Sequence, residues 1–368
     1  MARYLVTGGA GFIGRAVCRE LLSKGHEVRV LDCLVEQVHQ GQPAPDLGDA
    51  AFYEGDVRDA ALVARALRGV DGVVHLAAEV GVGQSMYEID RYVGANDLGT
   101  AVLLQQLINQ PVKRIVVASS MSVYGEGLYE TADGERVADA RRSPERVSAG
   151  LWDISDPQGR ALVPVATDES KQPDLASIYA LTKYVQERAV LIFGEAYSID
   201  AIALRLFNVF GPGQALSNPY TGVLANFSAR IANGLRPTVF EDGRQMRDFV
   251  HVDDVARAFR LALEKPEAAS HAINIGSGRS YTIADVARMV ARAMGRDIEP
   301  DIILKARSGD IRNCFADIGL AEELLGFHPR TELEEGLPEL ADWVASQQAP
   351  DRGHEMRRQL EERGLVSG

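Results

Sequence analysis

The sequence predicts an α/β protein: a doubly wound parallel sheet with a smaller C-terminal α/β substrate lobe. Three observations predict it. An apolar strand at the extreme N-terminus runs straight into a glycine-rich turn. Short apolar strands then alternate with amphipathic helical stretches, the pattern of repeated βαβ units. The length of 368 residues exceeds what one core usually organises, so a second lobe is expected.

The first unit is the most explicit. Arg3 to Thr7 reads as a short buried strand, followed by Gly8-Gly9-Ala10-Gly11-Phe12-Ile13-Gly14. An amphipathic helix is expected from about Phe12 to Lys24, stopped by Gly25, and a second strand over Glu27 to Leu31 ends at Asp32. Gly8 permits the tight turn, Gly11 lets a pyrophosphate approach the helix N-terminus beside Phe12 and Ile13, and Gly14 lets helix and sheet pack closely. The glycines are spaced three and three. Asp32, about 20 residues on, can accept hydrogen bonds from a ribose 2′-hydroxyl and repels a 2′-phosphate. The expected cofactor is therefore NAD rather than NADP, with Arg3 and Arg15 the two cations that would soften that choice.

The following elements continue the alternation. A third strand, Ala51 to Glu54, leads to Gly55-Asp56-Val57. Asp56 has two readings, a partner for an adenine amino group or the N-cap of a helix over Arg58 to Leu67. A fourth strand from Val73 to Ala78 ends in Leu76-Ala77-Ala78, small enough for a cofactor to lie across it. A fifth, Arg114 to Ser120, ends in Ser119-Ser120-Met121-Ser122. A later strand begins near Ile202 and ends at Asn208.

Tyr179 and Lys183 stand one helical turn apart, on one helix face. A phenol is a poor base at its ordinary pKa of about 10. A neighbouring ammonium favours the phenolate, and a shift of roughly three units, about 4 kcal/mol, yields a base near neutral pH. The expectation is that Lys183 lowers the Tyr179 pKa.

Composition excludes several classes. A net charge of −13 argues against a nucleic-acid surface. No apolar run is long enough to cross a bilayer, so no membrane partner is expected. The N-terminus enters a strand at once, so no signal peptide is expected. Cys18, Cys33 and Cys314 match neither a metal site nor a disulfide framework. A reducing cytoplasm is the expected compartment, with no metal. The segment 125–175 is polar, with Trp152 as its large apolar anchor. So long a structureless loop is uncommon, and an ordered flap with a short hairpin near Ala161 to Ala166 is expected.

Taken together, Gly8/Gly11/Gly14, Asp32, Asp56, Leu76-Ala77-Ala78, Asn96, Ser119-Ser120 with Val123-Tyr124-Gly125, Tyr179/Lys183 and Arg205 to Pro212 make the chain resemble the extended short-chain dehydrogenase/reductase superfamily. The resemblance runs from residue 2 to about 345. It implies a Rossmann-type NAD domain over 1–205 with an insertion at 125–175. It also implies a substrate lobe over 206–345, the chain crossing back near 245–275, and a tail over 346–368. Within the superfamily the chain is similar to the nucleotide-sugar epimerase and dehydratase families. The softer runs at 121–129, 215–222 and 240–243 resemble dTDP-L-rhamnose 4-epimerase-like and UDP-glucose 4-epimerase-like proteins.

By that resemblance Ser120 hydrogen-bonds the sugar oxygen under attack, Tyr179 is the base, and Lys183 holds the cofactor ribose and tunes Tyr179. Val57 and Asn96 join the cofactor residues. Ser85, Ser122, Asn208, Arg247 and Arg307 face the nucleoside-diphosphate sugar, the two arginines at its diphosphate. His251 and Asp253 read as packing and capping residues. Sugar 4,6-dehydratases carry an Asp-Glu pair after the serine, where this chain has Met121 and Ser122. Neither can protonate a leaving hydroxyl, which disfavours dehydration. The implied activity is an isomerase reaction, NAD-dependent C4 epimerisation. The alternatives are a nucleotide-sugar oxidoreductase on the same residues and a non-catalytic NAD-binding protein. Helices around Arg91 to Asn109 and Ile178 to Phe193 are where such proteins build a homodimer.

Overall fold

A computed structural model describes residues 1–216, 222–307, 309–347 and 353–367. Part of the 215–222 run, Ser308, and the ends of the 351–368 tail lie outside the described residues. Seven strands form one parallel sheet: β1 (Arg3–Thr7), β2 (Glu27–Asp32), β3 (Ala51–Glu54), β4 (Gly72–His75), β5 (Arg114–Ser120), β6 (Asp200–Leu206) and β7 (Ala272–Ile275). Their order is β7-β6-β5-β4-β1-β2-β3. The order reverses between β1 and β4, and a crevice opens at the carboxyl ends on either side of that point.

Each face of the sheet is covered. On one, α1 (Phe12–Ser23) and the helix Val252–Glu264 pack over Val6, Val30, Val116 and Leu204. On the other, α2 (Gly99–Asn109) and α3 (Ile178–Tyr197) pack over Leu5, Val73, Ile115 and Ala203. Strands buried on both faces must be apolar throughout, which is why they read as continuous runs. β4 stops at His75, three residues short of the sequence expectation, because its partner β1 ends at Thr7 in the glycine turn and Leu76 N to Thr7 O is the last ladder bond. The helix after Asp56 starts only at Ala60. Asp59 caps it, accepting from Ala61 N and Leu62 N, so the capping reading of Asp56 is corrected.

Residues 125–175 are ordered, but not as a hairpin at 161–166. Leu128–Glu130 is the centre of a three-stranded antiparallel sheet between Arg136–Val137 and Val163–Val165. Tyr129, Ala140, Ile154 and Leu162 form its small core in place of Trp152. A buried charge network fastens it to the C-terminal lobe. Arg312, 1% exposed, pairs with Asp153, Glu241 and Asp242. Arg142 pairs with Glu126 and Glu241, and Glu126 accepts from Arg312 N and Asn313 N. Buried charges persist only when fully partnered, and these are.

The C-terminal lobe packs helices Val223–Ala232, Ile283–Ala293 and Leu333–Ala345 around Phe210, Phe227, Phe249 and Leu337. His251 caps the helix Val252–Glu264, accepting from Asp253 N, as its sequence context predicts. The tail returns to the body as a helix, Gly353–Glu362, and a strand, Val366–Ser367, paired with Ala306–Arg307.

Candidate active site

One continuous cleft of about 1120 Å³ runs from the Gly8–Gly14 turn, past the end of β5, into the C-terminal lobe. That exceeds the usual size for one small ligand and suits two.

At its N-terminal end, the three glycines have two different causes. A Cβ on Gly8, whose φ is +69°, would lie 2.8 Å from Ala77 N. One on Gly14 would lie 2.3 Å from Gly8 O and 2.5 Å from Gly9 Cα. Those two glycines serve internal packing. A Cβ on Gly11 would meet only Gly8 O, at 3.3 Å, so no protein atom demands glycine there. Gly11 is the N-cap of α1 and offers no side-chain bond to the first-turn N–H groups, which therefore open on the cleft beside Phe12 and Ile13. A bare helix N-terminus with the approach kept clear fits a pyrophosphate.

Asp32 ends β2 in the cleft wall. Its Oδ2 accepts from Ala10 N at 3.0 Å and its Oδ1 from Leu34 N at 2.9 Å, which orients the carboxylate while leaving acceptor capacity toward a ribose. Arg3 is tied to Glu27 and Gly69 away from the cleft. Arg15 lines the cleft but donates to Gly213 O. The residues present thus fit NAD. Asp56 and Val57 line the same end. The Asp56 carboxylate holds Arg58 at 2.6 Å, and that bond keeps it below the usual carboxylate range. Leu76, Ala77 and Ala78 line the floor.

The catalytic candidates meet at the end of β5. Ser177 caps α3 through Ala180 N, and Tyr179 N bonds Ser85 Oγ at 3.0 Å, which fixes where the helix begins. A buried Arg205–Glu187 pair, at 2.6 Å, locks α3 to β6, and Ser119 Oγ donates to the same carboxylate at 2.7 Å. These bonds hold Tyr179 against Ser120. Ser122 Oγ donates to Ser120 Oγ at 3.0 Å, and the Ser120 hydroxyl stands close enough to the Tyr179 phenol to lower its pKa.

Burial raises the Tyr179 pKa, and the bond from Ser120 is what lowers it. The expectation that Lys183 tunes Tyr179 is therefore not what this arrangement displays. A buried ammonium needs an acceptor, and Lys183 takes the Gln186 amide oxygen at 2.6 Å. Burial drives Lys183 down to about 7, opposed by Glu187 and Asp97. Burial also holds His75 neutral, with a pKa of about 3, between Thr7 and Thr100.

At the far end Arg247 and Arg307 both line the cleft. Arg247 donates to the backbone carbonyls of Met246, Ile311 and Arg312, and among the described residues no carboxylate pairs with it. Arg307 stacks on Phe240 at 4.4 Å and pairs with Asp310 at 2.8 Å. Among the described residues, Asn208 Oδ1 is buried in the wall without a partner, and so is Gln245 Oε1. An orphaned buried acceptor needs a donor, and a ligand can supply one.

Two expected site residues do not line the cleft. Ser85 is buried, with its hydroxyl spent on Val82 O and Tyr179 N. Asn96 is buried and bridges Glu79 to Thr182. Both position α3 rather than face a ligand. Sequence reasoning missed Gln245, and it missed Gln186, Glu126, Arg142 and Arg312. Gln186 stands one helical turn after Lys183, a spacing that could have found it, whereas no spacing rule pairs Gln245, Glu126, Arg142 or Arg312 with distant partners. Among the described residues no group of His, Cys, Asp and Glu could hold a metal ion, and no helix is long and apolar enough to cross a membrane.

Residues 4–145 and 157–276 match the model of the NAD dependent epimerase/dehydratase family. The dTDP-L-rhamnose 4-epimerase of Burkholderia thailandensis is 36% identical over 351 residues, 94% of this chain and 95% of that protein. The crystal structure of UDP-glucose 4-epimerase from Thermotoga maritima with UDP-glucose has a TM-score of 0.77 and 32% identity, covering 94% of this chain and 99% of that one. UDP-glucose 4-epimerase from Thermus thermophilus, in complex with NAD, has a TM-score of 0.74 and 30% identity, covering 94% and 100%. The chain belongs to the NAD dependent epimerase/dehydratase family.

Proposed function

We propose that this member of the family is an NAD-dependent isomerase that inverts C4 of a nucleoside-diphosphate hexose, a dTDP- or UDP-sugar, through a transient 4-keto sugar. One observation carries the reading: Tyr179 stands beside the hydrogen-bonded Ser120–Ser122 pair in a cleft that joins the glycine turn to two arginines, with no carboxylate at positions 121 and 122. That set can move a proton at a sugar hydroxyl but cannot expel one.

NAD, which the glycine turn and Asp32 would hold, would supply hydride acceptance and return at C4. The chain's own residues do the rest. Gly11 and the α1 N-terminus hold the pyrophosphate, and Asp32 holds the ribose. Asp56 and Val57 line the adenine end, and Lys183 turns from Gln186 to the second ribose. Ser120 donates to the sugar O4 and Tyr179 takes its proton. The Ser122 hydroxyl, donating to Ser120, leaves the Ser120 proton free to point at the oxygen that carries charge. Arg247, uncompensated by any carboxylate, anchors the diphosphate with Arg307 while the sugar presents its other face. Asn208 accepts from the ligand through its orphaned Oδ1.

The same reading takes in a homodimer. Val93, Leu98 and Ile108 project from the 93–109 helical stretch, and Leu181, Val185 and Ile192 from α3, each 36% exposed or more. The two helices are adjacent, so a second copy laid against them would bury one continuous apolar face. A reducing, cytoplasmic setting is consistent with three unpaired cysteines among the described residues.

The test is incubation of purified protein, without added cofactor, with a panel of dTDP-, UDP- and GDP-sugars. The expected product is an isomer of unchanged mass, seen by mass spectrometry and proton NMR. Stoichiometric release of NADH would instead establish a net oxidoreductase. Tyr179→Phe is expected to lose turnover by a factor of at least ~10² while retaining NAD.

A further inference from the structure

The last described segment of the chain lies over the cleft. Leu360 is only 2% exposed, though Arg358, Glu361 and Glu362 of the same helix are solvated. It packs on the backbone of Gly83, where a Cβ would come within 3.2 Å of Leu360 Cδ2. The Tyr87 hydroxyl donates to Gln359 Oε1 at 3.1 Å, and the Arg363 guanidinium stacks on the Tyr87 ring at 4.2 Å. On the opposite bank Lys305 meets Glu361 at 3.7 Å, and Val366 pairs with Arg307 in a two-stranded sheet. The segment therefore ties the 82–87 stretch to the strand that carries Arg307. Leu360 and Leu365 both line the cleft beneath.

The place is specific. Ser85, inside the 82–87 stretch, holds Tyr179 N. Gly309, just past Arg307, lies against Ala176 O and Val82. The tail thus roofs the space between the start of α3 and the arginine strand. A sugar with O4 at Tyr179 and its diphosphate at Arg307 must lie in that space. The roof is aliphatic: Leu360 and Leu365 from the tail, Val82 and Met86 from below. None of these side chains offers a donor or a strong acceptor.

From this we infer that the C-terminal segment 353–367 is a wall of the substrate site, and that Leu360 and Leu365 select hexoses lacking a hydroxyl or carboxylate at C6. The inference rests on the epimerase reading for the placement of the sugar. A C6 hydroxyl turned toward the roof loses water and gains no partner, whereas a methyl group gains apolar contact. The absence of directional bonds also lets the sugar reorient beneath the roof without breaking any.

The test compares dTDP-glucose with its 6-deoxy congener by calorimetric binding to the NAD-loaded full-length protein, and to the Leu360→Ser and Leu365→Ser variants. Melting temperature and NAD content serve as controls for folding. The full-length protein should favour the 6-deoxy sugar at least tenfold, about 1.4 kcal/mol. The serine variants should bring the ratio toward one with unchanged NAD content. An equal affinity in the full-length protein, or an undiminished preference in both variants, overturns the assignment. Preference without any product of unchanged mass would instead sink the epimerase reading and leave the wall in place.

Discussion

Gly11 and Gly14 belong to one motif, yet alanine at each should fail in a different way. At Gly14 the added carbon falls 2.3 Å from Gly8 O, 2.5 Å from Gly9 Cα and 2.8 Å from Gly9 C. These are backbone atoms of the turn itself, so relief requires moving α1 off the sheet. Overpacking of that kind costs roughly 1–3 kcal/mol, or more where the backbone must give. Alanine recovers only about 1 kcal/mol of helix propensity. Gly14→Ala should therefore lower the melting temperature and lose NAD as a consequence. At Gly11 the backbone is extended, with φ −73° and ψ 178°, and the one neighbour stands at 3.3 Å. Replacing an N-cap glycine by alanine costs on the order of 1 kcal/mol or less. The new methyl group, however, stands where a pyrophosphate must approach the α1 N–H groups. Gly11→Ala should fold almost normally and bind NAD at least ~10²-fold more weakly, equivalent to about 2.7 kcal/mol. Thermal melting and the NAD released on denaturation measure both quantities. A Gly11→Ala protein that purifies with a full complement of NAD would refute the assignment of that helix terminus. Equal destabilisation by the two alanines would refute the distinction between packing and ligand glycines.

Further outcomes follow from the same geometry. Lys183 has a folded pKa of about 7 against 10.5 for the ordinary side chain. Between those values the unfolded chain holds the proton that the folded one has lost, so NAD-free protein should gain stability as pH rises through that window. The gain is up to about 1.4 kcal/mol per unit and should be absent from Lys183→Met; urea titrations at pH 7 and 8.5 measure it. Arg312→Met removes the partner of Asp153 and Asp242 and leaves the buried Glu241 with Arg142 alone. It should cost roughly 3–5 kcal/mol and expose 125–175 to limited proteolysis, and a wild-type cleavage pattern would contradict the role of the network. Leu181→Glu with Ile192→Glu should convert a dimer to monomer in sedimentation while leaving NAD content intact. Arg247→Ala should raise KM for the nucleotide sugar at least tenfold and leave bound NAD unchanged, as kinetics and NAD release would report.

Much of the site could be read from local chemistry. The glycine turn, Asp32, Ser120, and Tyr179 with Lys183 each depend on neighbours within a turn or a strand, and the structure places them in one cleft. Ser85 and Asn96 show where such reading fails. Both types of side chain can bind a ligand, and only the packed structure reveals that Tyr179 N and Thr182 already occupy them. The Tyr179 environment is a second case. Helical spacing put Lys183 on the correct face, but burial turned its ammonium to Gln186 and left Ser120 as the group acting on the phenol.

The amino-acid sequence alone determined the alternation of strand and helix, the cofactor end of the cleft and the residues proposed for proton transfer, because periodicity, turn chemistry and i,i+4 spacing are local properties. Tertiary structure alone decided that Arg142 and Arg312 fasten 125–175 to the far lobe, and that Leu360 comes to rest on Gly83. The contacts of Arg142 with Asp310, of Arg312 with Asp153 and of Leu360 with Gly83 join residues more than a hundred positions apart, and their energy exists only once burial has removed the water that would otherwise satisfy each group.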